Sequence, residues 1–325
     1  MTLQQLRYLC SIAREGFSVS RAAISLGTSQ PAISKQIRLL ETELGSDLLI
    51  RKSNRILGLT AAGDAIIEAA QRTLWEADNL QRITTEFTQK GAGRLVIATT
   101  HMYARYVLKP VIKDFIERHR DVQLVLRQGI PSMIARWVAA GEADIGISGL
   151  SLDVHQDLLF LPFAELDRSV FVPKRHPLTQ EKRLTLKSIA RFAIIMLDQS
   201  LEGGWKVMDA FAAARVKPNV VLSAIDADVV KSYVELGLGI AILLTLAFEP
   251  ERDRELRIIS AAHLFQGTTP HIVLRHGKYL PGYMHDFIGR LSPKWERSAT
   301  EAAMRSKPAT LASASVPRQA PRGAP

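Results

Sequence analysis

The N-terminal part of the chain shows three short apolar stripes with the spacing of helices. The stripes run along Leu3, Leu6, Leu9 and Ile12, along Ala22, Ala23 and Leu26, and along Ile33, Ile37 and Leu40. Repeats at three and four residues place such side chains on one face of a helix, so three helices are predicted. Gly27 supplies a tight turn between the second and third helices, because a positive φ costs glycine little. Thr28 or Ser29 can cap the third helix, and Pro31 suits its first turn, where a missing N–H would have no partner.

The third helix is predicted to enter a DNA groove. Its polar residues point away from the apolar stripe and present amide, hydroxyl and cationic groups, which suits the recognition helix of a helix-turn-helix. The candidate DNA-binding residues here are Ser29, Gln30, Pro31, Ser34, Lys35 and Arg38. All but Pro31 and Arg38 are expected at or near the bases.

Two short β-like runs, residues 48–51 and 55–59, follow the recognition helix. With Lys52-Ser53-Asn54 between them they predict a hairpin with a cationic tip, which is called the wing below. Arg51, Lys52 and Arg55 are candidates for contacts with DNA phosphates. A loop that only faces solvent is the alternative.

Residues 60–89 predict one long amphipathic helix. Thr60 can cap it, and apolar residues recur at three and four positions, at Ile66, Ile67, Ala70, Leu74, Ala77, Leu80, Ile83 and Phe87. A helix that extends beyond a small domain needs a partner for its apolar stripe, most simply the same helix of a second chain. Two copies would place two recognition helices on successive turns of DNA. Packing within one chain is the alternative.

After a hinge-like break at residues 90–93, the pattern changes to alternating strands and helices up to residue 243, with one predicted helix at 103–118. Such alternation predicts parallel sheets covered by helices. The elements fall into two sets, which predicts two lobes with a cleft between them. In open α/β sheets, ligands bind beyond the carboxyl ends of the strands, so the cleft is the expected ligand site.

The predicted fold is therefore α/β, with an N-terminal winged helix-turn-helix, a long linker helix and a two-lobed effector domain like that of periplasmic binding proteins. The predicted boundaries are 1–59 for the DNA-binding domain, 60–90 for the linker and dimerisation helix, and 91–293 for the effector domain, with lobe I at about 91–163 and 265–293 and lobe II at about 164–264. Residues 294–325 turn to Ala, Ser, Pro and Arg and predict a disordered tail.

The composition narrows the class of protein. The chain has 325 residues and a formal net charge of +10, which favours polyanion binding, although part of that charge lies in the tail. Its single cysteine, Cys10, excludes an intrachain disulfide framework and most zinc modules, and its apolar surroundings favour a core role. The start lacks the pattern of a secretory signal, and the longest apolar run, residues 238–248, is shorter than the roughly 20 residues that span a bilayer. We expect a cytoplasmic protein without membrane contact.

The sequence contains no recognisable catalytic constellation. It lacks a Gly-x-Ser-x-Gly elbow, a phosphate loop with Gly-Lys-Ser/Thr and a His-Glu-x-x-His motif, and its eight histidines show no metal-ligand spacing. We therefore predict a protein that is not an enzyme, with no catalytic residue, no metal and no cofactor. A two-lobed cleft would also suit the solute-binding protein of a transporter. A third interpretation is a DNA-binding gene regulator whose cleft holds no ligand.

The N-terminal motifs resemble those of the LysR-type transcriptional regulators. The residues that carry the resemblance are Thr28-Ser29-Gln30-Pro31-Ala32-Ile33-Ser34, the wing and the helix start Thr60-Ala61-Ala62-Gly63. Ile97-Ala98-Thr99-Thr100-His101 and Asp226-Ala227-Asp228-Val229-Val230-Lys231 are similar to the CysB-like branch, whose members regulate sulfur assimilation. The resemblance implies double-stranded promoter DNA as a partner, homodimers or homotetramers, a small-molecule effector between the lobes, and RNA polymerase as a further candidate partner. It points to a regulator of sulfur or organosulfur genes, and a regulator of an unrelated catabolic pathway is the alternative.

The chain departs from this branch at the residues that the resemblance assigns to the sulfate site. Where sulfate-sensing members have Thr-Thr-His-Thr-Gln, this chain has Met102 and Tyr103 in the last two positions. Threonine positions of the branch correspond to Gly149 and Glu202 here, and Glu202 would repel sulfate. The candidate effector-binding residues are Thr100, Met102, Tyr103, Ile130, Ser132, Gly149, Glu202 and Asp226. We expect a larger, partly apolar ligand, such as an organosulfonate or an aromatic acid. A surface or capping role is the alternative for Glu202, and a capping role for Thr100 and Asp226. Packing against the neighbouring lobe is the alternative for Met102 and Tyr103.

Overall fold

The computed structural model describes residues 1–52, 55–88, 93–149 and 157–306. They belong to two units, Met1–Thr88 and Gln89–Pro325, each with its own apolar core. The wing tip at residues 53–54, the hinge-like break at 90–92 and the tail beyond residue 306 lie outside the described residues.

The first unit contains a winged helix-turn-helix followed by a long helix. Its described elements are α1 (Leu3–Arg14), α2 (Val19–Ser25), α3 (Gln30–Leu44), β1 (Leu49–Lys52), β2 (Arg55–Leu59) and α4 (Ala61–Thr88). Ser18 and Ser29 cap α2 and α3 by accepting backbone N–H bonds, and Gly27 takes a φ of +62° in the turn between them. Gly45 ends α3 in the left-handed conformation. The predicted helix-turn-helix and wing are confirmed.

The predicted apolar stripes form the core of this unit. Leu9, Ile33 and Leu40 are fully buried, and most other residues of the three stripes are buried with them, although Leu26 is only partly buried. Leu3 differs from the expectation, because it lies at the first position of α1 and is 43% exposed. The core therefore holds the three helices together while one row of α3 remains at the surface.

The long helix α4 begins inside its own domain. Thr60 caps it by accepting a hydrogen bond from the Gly63 N–H at 3.0 Å. Ala70 is buried in the core around α1, and Ile66 and Leu74 pack on the same core. Packing within one chain thus accounts for the first part of the apolar stripe. Leu80, further along, is 68% exposed, and its partner in a dimer stays a prediction.

A buried carboxylate joins the recognition helix to the wing. Glu41 accepts hydrogen bonds from the N–H groups of Leu48 at 2.9 Å and Leu49 at 3.3 Å. The Arg51 guanidinium donates to both of its oxygens, at 3.0 and 2.8 Å. Burial disfavours the charged form of Glu41, yet these hydrogen bonds outweigh burial and hold its pKa below the usual range. Arg51, predicted to contact phosphate, is thus already paired, because β1 folds back onto the end of α3.

The second unit contains the two lobes. In chain order its helices and strands are β3 (Gly93–Thr99), α5 (His101–Tyr106), α6 (Leu108–Arg118), β4 (Val122–Gln128), α7 (Pro131–Ala139), β5 (Ile145–Ser148), β6 (Leu158–Pro162), β7 (Arg168–Pro173), α8 (Leu186–Ile189), β8 (Ala193–Leu197), α9 (Glu202–Ala213), β9 (Asn219–Ala224), α10 (Ala227–Glu235), β10 (Ala241–Leu244), β11 (Leu256–Ser260), β12 (His271–Arg275), α11 (Gly282–Leu291) and α12 (Arg297–Arg305). Short 3-10 turns lie at Pro177–Gln180, Thr245–Ala247 and Pro293–Trp295.

Each lobe is built on its own sheet. Lobe I has the strand order β4-β3-β5-β12-β6, in which β3 is parallel to β4 and β5. Lobe II has the order β10-β7-β11 and the parallel pair β8-β9, which a hydrogen bond from the Ile195 N–H to the Ile240 carbonyl at 2.8 Å joins to the segment before β10. The chain crosses between the lobes twice, and the crossings pair where Leu166 meets Thr268. The predicted two-lobed α/β fold is confirmed.

The expectation of parallel sheets is wrong for part of each lobe. β12 is antiparallel to both β5 and β6, and β7 is antiparallel to β10 and β11. The strand-helix alternation in the sequence does not predict β6, β11 or β12. β6 precedes the first crossing, into lobe II, and β12 follows the second crossing, back into lobe I. Because the chain returns in the opposite direction, β12 pairs antiparallel with both β5 and β6.

The helix predicted at residues 103–118 is two helices. α5 ends at Tyr106 and α6 begins at Leu108. Pro110 explains the break, because it has no N–H for the carbonyl four residues earlier and its ring crowds that carbonyl. In the first turn of α6 the missing donor has no cost.

The segment predicted as a disordered tail contains the helix α12. Thr300 is fully buried there, and Ala303 and Met304 pack on the lobe I core. The indole N–H of Trp295 donates to the Pro162 carbonyl at 2.8 Å. These contacts order residues that composition alone assigns to a tail.

No helix in the described part of the chain is both long enough and apolar enough to cross a membrane.

Replacing Glu41 is expected to destabilise the DNA-binding unit. Glu41→Ala leaves two buried N–H groups and the Arg51 guanidinium without their acceptor, which should lower the free energy of unfolding by about 2–4 kcal/mol. Urea unfolding followed by circular dichroism measures this change. Glu68→Ala, at an exposed position of α4 in the same unit, is the control and should cost no more than about 0.5 kcal/mol.

The contribution of Glu41 should also depend on pH. Its folded-state pKa is lowered, so its stabilisation is fully present above the unfolded pKa of about 4.3 and is lost as the pH falls through the folded value. Wild type should therefore lose more stability on acidification than Glu41→Gln. Equal losses would contradict this role.

Candidate functional site

The predicted DNA-binding residues share one exposed face of α3. Gln30, Ser34 and Lys35 are exposed, whereas Ile33 and Ile37 on the opposite side are buried. Pro31 and Arg38 are also exposed. Ser29 is exposed too, but its hydroxyl oxygen accepts from the Ala32 N–H at 3.3 Å. The helix thus presents the predicted polar row, and its contact with DNA stays a prediction.

A groove of about 130 Å³ lies between α3 and the wing. Arg38, Arg51 and Arg55 all line it. Lys52 is exposed and is the direct cross-strand neighbour of Arg55. Cationic groups at such an edge suit contacts with phosphates. Because Glu41 already pairs with Arg51, Lys52 and Arg55 are the stronger candidates.

A cavity of about 420 Å³ lies between the two lobes of the second unit. Lobe I contributes the segments that follow the carboxyl ends of β3, β4 and β5, and lobe II contributes the starts of β7, α9 and α10. This is the position at which open α/β sheets bind ligands. The volume lies in the range of small-molecule sites.

The predicted effector residues meet at this cavity with one exception. Those that line it are Thr100, Met102, Tyr103, Ile130, Gly149, Glu202 and Asp226. Ser132 is not among the lining residues, whereas the next residue of α7, Met133, is. Asp226 also caps α10, where its Oδ1 accepts N–H bonds from Asp228 at 2.7 Å and Val229 at 3.2 Å. The capping alternative for Asp226 therefore holds together with its place at the cavity.

Glu202 and Gly149 are in direct contact across the cavity. Glu202 is only 8% exposed, so the alternative of a surface residue is wrong. A Cβ at Gly149 would overlap Oε2 of Glu202 and lie 3.1 Å from its Cδ. Gly149 is not in the left-handed region, so space rather than backbone conformation requires glycine there. Gly149 and Glu202, the two departures from the family pattern, therefore form one packing arrangement.

Lys206 holds the other oxygen of this carboxylate. Its Nζ lies 2.7 Å from Oε1 of Glu202 and donates to the Gly267 carbonyl at 2.8 Å. The carboxylate therefore cannot swing away from Gly149 without breaking a largely buried ion pair.

Arg168 is a lining residue that the sequence reasoning did not identify. It is 0% exposed, with Nε donating to the Gln266 carbonyl at 3.1 Å and Nη2 to the Thr268 hydroxyl at 2.8 Å. Its Nη1 has no hydrogen-bond partner among the described residues. The available signal was a basic residue at the start of a strand that continues with Ser169 and the apolar run Val170-Phe171-Val172. Other lining residues missed from the sequence are Gln128, Leu197, Leu201, Ile225, Leu244 and Thr268.

Three ionisable groups influence one another inside the cavity. Burial lowers the pKa of the Arg168 guanidinium, while the negative charge of Glu202 opposes this shift. Burial raises the pKa of the Tyr103 phenol, and Glu202 raises it further. Tyr103 therefore remains protonated, with a phenol available as a donor. The cavity combines a buried cation, a buried anion and apolar walls.

Polar contacts between α5 and lobe II close one side of the cavity. His101 Nε2 lies 3.0 Å from Asp226 Oδ2. Arg105 pairs with Asp228 at 3.0 Å and with Glu249 at 3.1 Å. These side chains hold the two lobes in their present arrangement.

The ligand atoms of His101, Asp226 and Asp228 also lie within 4.8 Å of one another, which is close enough to hold a metal ion. Arg105 and Lys231 already pair with Asp228, the latter at 3.3 Å. Cationic neighbours disfavour a bound cation, so ion pairing accounts for this cluster.

The contact between Gly149 and Glu202 predicts a non-additive pair of substitutions. Gly149→Ala should cost about 1–3 kcal/mol of stability, because the added methyl group displaces a carboxylate held by Lys206. In a Glu202→Ala background the same change should cost much less. A double-mutant cycle by thermal and urea unfolding measures the coupling.

Gly289→Ala in α11 serves as the control, since an added Cβ there meets nothing within 4 Å. Equal costs of Gly149→Ala in both backgrounds would contradict the proposed contact.

Two family descriptions match the chain. Residues 3–64 match the bacterial regulatory helix-turn-helix protein of the lysR family, and residues 88–296 match the LysR substrate binding domain. The first match covers the winged helix-turn-helix and the second covers both lobes.

Several curated proteins are similar along nearly the whole chain. The HTH-type transcriptional regulator SsuR of Burkholderia cenocepacia is 41% identical over 305 residues, which cover 94% of this chain and 99% of that protein. The HTH-type transcriptional regulator CysB of the same organism is 38% identical over 307 residues, covering 94% and 98%. The relatives found are transcriptional regulators.

Solved structures show the same architecture. The cofactor-binding domain of the Cbl transcriptional regulator has a TM-score of 0.63 and 37% identity, covering 67% of this chain and 96% of that domain. Full-length CbnR complexed with its target DNA has a TM-score of 0.59 at 20% identity, covering 90% and 99%, and supports the fold alone. The chain belongs to the LysR family of bacterial transcriptional regulators, as a CysB-like member.

Proposed function

We propose that this regulator controls genes of sulfur or organosulfur metabolism and that a small organic molecule bound between the lobes controls its activity. The observation that carries the proposal is the cavity of about 420 Å³, present in a chain that is 41% identical to SsuR over nearly its whole length. The apolar side chains of Met102, Ile130 and Met133 in the lining favour a ligand with a carbon body.

In this proposal α3 reads the promoter. Gln30, at the first position of α3, and the exposed Ser34 and Lys35 provide an amide, a hydroxyl and an ammonium group for base edges. Lys52 and Arg55 contact phosphates on either side of the hairpin. The role of Arg51 is to hold the wing against α3 through Glu41.

Self-association through α4 is part of the same proposal. The exposed Leu80 follows the segment of α4 that packs on its own domain. Burying that apolar face against a second chain would give a homodimer, and pairs of dimers a homotetramer. Two recognition helices then match half-sites separated by about one turn of DNA.

Effector binding acts as a population shift in this scheme. A ligand that contacts both lobes stabilises the closed arrangement relative to any more open one, by no more than its difference in affinity for the two. That shift changes how the dimer or tetramer engages its promoter. Action in the cytoplasm and contact with RNA polymerase belong to the proposal as consequences of the role.

Genome-wide mapping of the DNA bound by this protein tests the pathway. We expect enrichment at promoters of genes for the uptake or breakdown of sulfur compounds, because the chain's full-length relatives share both its units. Promoters of an unrelated catabolic pathway would favour the alternative assignment.

Gln30 is expected to supply sequence specificity. Gln30→Ala removes an amide that can bond to two atoms of one base, so binding to the mapped operator should weaken by about 1–3 kcal/mol while binding to random DNA changes little. Fluorescence anisotropy at several salt concentrations measures both affinities.

Arg55→Ala is the matched control for this measurement. Loss of a phosphate contact should weaken binding to both DNAs alike and reduce the salt dependence by about one unit. Equal losses on both DNAs for Gln30→Ala would show that Gln30 is not a base contact.

A further inference from the structure

Two polar atoms in the inter-lobe cavity have no hydrogen-bond partner among the described residues. One is Nη1 of Arg168 and the other is Oε2 of Glu202. Both side chains line the same cavity, and both are buried. Buried polar groups are nearly always satisfied, so a donor and an acceptor left over in one cavity indicate what its occupant supplies.

Arg168 provides the cationic side of the site. Its Nε and Nη2 are anchored to Gln266 and Thr268, which fixes the plane of the guanidinium. The third nitrogen, Nη1, lies 3.7 Å from where a Cβ at Gly203 would be, and Gly203 itself lines the cavity. A fixed, buried guanidinium with one nitrogen unpaired among the described residues favours an oxyanion, such as a carboxylate or sulfonate.

Glu202 provides the anionic side. Lys206 pairs with Oε1, while Oε2 lies against Gly149 and has no donor in the part of the chain that the structure describes. A carboxylate is an acceptor only, so its bound partner must carry N–H or O–H groups. An ammonium group is favoured over a hydroxyl, because hydrogen bonds between charged groups are roughly twice as strong as neutral ones.

We propose that the effector is a zwitterionic organic molecule, whose carboxylate or sulfonate binds Arg168 and whose ammonium group binds Glu202. This inference rests on the proposed effector site and names its ligand class. The carbon body between the two charged groups packs on Met102 and Met133. Such a ligand satisfies both leftover atoms at once, whereas an anion alone would satisfy Arg168 and face the Glu202 carboxylate.

The same geometry disfavours inorganic sulfate. Sulfate has no donor for Oε2 and no apolar part for the methionine side chains. Like charges close together in a buried site are costly, and Glu202 lines the same cavity as Arg168. The presence of Glu202 against Gly149 therefore changes the chemistry of the ligand as well as the shape of its site.

Calorimetry and thermal shift on the full-length protein test the proposal with matched compounds. The panel contains ω-aminoalkanesulfonates of two to four carbons, the corresponding alkanesulfonates and hydroxyalkanesulfonates, the ω-amino carboxylates of equal length, and inorganic sulfate. We expect at least one amino compound to bind about tenfold or more tightly than its partner without the ammonium group. The carboxylate and sulfonate arms identify the anionic group.

Two variants assign the contact to Glu202. Glu202→Gln keeps the size of the side chain but removes its charge, so the preference for the amino compound should fall about tenfold while the matched alkanesulfonate binds equally or better. Asp209→Asn makes the same chemical change at an exposed position of α9 and should leave the preference unchanged. Thermal unfolding of both variants verifies that they fold.

A panel without preference for the ammonium group, including one in which only sulfate binds or nothing binds, overturns the ligand class. A preference that survives Glu202→Gln overturns the assignment to Glu202. Promoter mapping is independent of these outcomes. If sulfur genes are bound but the panel shows no preference, the regulator assignment stands and the ligand inference fails. If zwitterions bind but the bound promoters belong to genes of another pathway, the assignment to sulfur metabolism fails and the ligand inference stands.

Discussion

The carboxylate of Glu202 occupies space that any side chain at position 149 would need, and the effector site depends on this contact. Lys206 fixes one oxygen of the carboxylate, and the other rests against the glycine with no donor among the described residues. A threonine hydroxyl at each position would offer donors to an anion. Here the two positions together present an acceptor, while Arg168 supplies a cation in the same cavity. The result is a site with both charges, lined by apolar side chains.

The DNA-binding unit uses a buried carboxylate in a related way. Glu41 gathers the Leu48 and Leu49 N–H groups and the Arg51 guanidinium at the junction of α3 and β1. All of these hydrogen-bond donors belong to the protein, so both oxygens of Glu41 are paired and its role is structural. Glu202 has one oxygen without a donor among the described residues, and the proposed role in ligand binding rests on that difference. In both places donors offset the cost of burying a charge. Around Glu41 the protein supplies all of them, whereas at Glu202 Lys206 supplies one and the proposed ligand supplies the other.

Contacts between the lobes couple this site to conformation. α5 carries His101 and Arg105, which pair with acidic groups of lobe II at one side of the cavity. Met102, in the same helix, lines the cavity and packs on the lobe II core. A ligand that moves α5 therefore acts on the contacts that hold the lobes together. This gives the proposed population shift a physical basis in side chains that touch both the ligand space and the opposite lobe.

Local pattern in the sequence was sufficient for the helix-turn-helix, the wing, the start of α4 at Thr60 and the position of the cleft, because periodicity, capping and glycine turns act between near neighbours. The resemblance to the CysB-like branch identified Thr100, Met102, Glu202 and Asp226, and their places at the ends of strands and the starts of helices bring them to one cavity. Pro110 was sufficient in principle to predict the break between α5 and α6. The antiparallel strands β6 and β12, the pairing of Glu41 with Arg51 and the orphaned Nη1 of Arg168 were decided only in the tertiary structure. Each depends on which distant segments meet, and that is set by how the chain crosses between lobes and packs, which no local pattern of residues records.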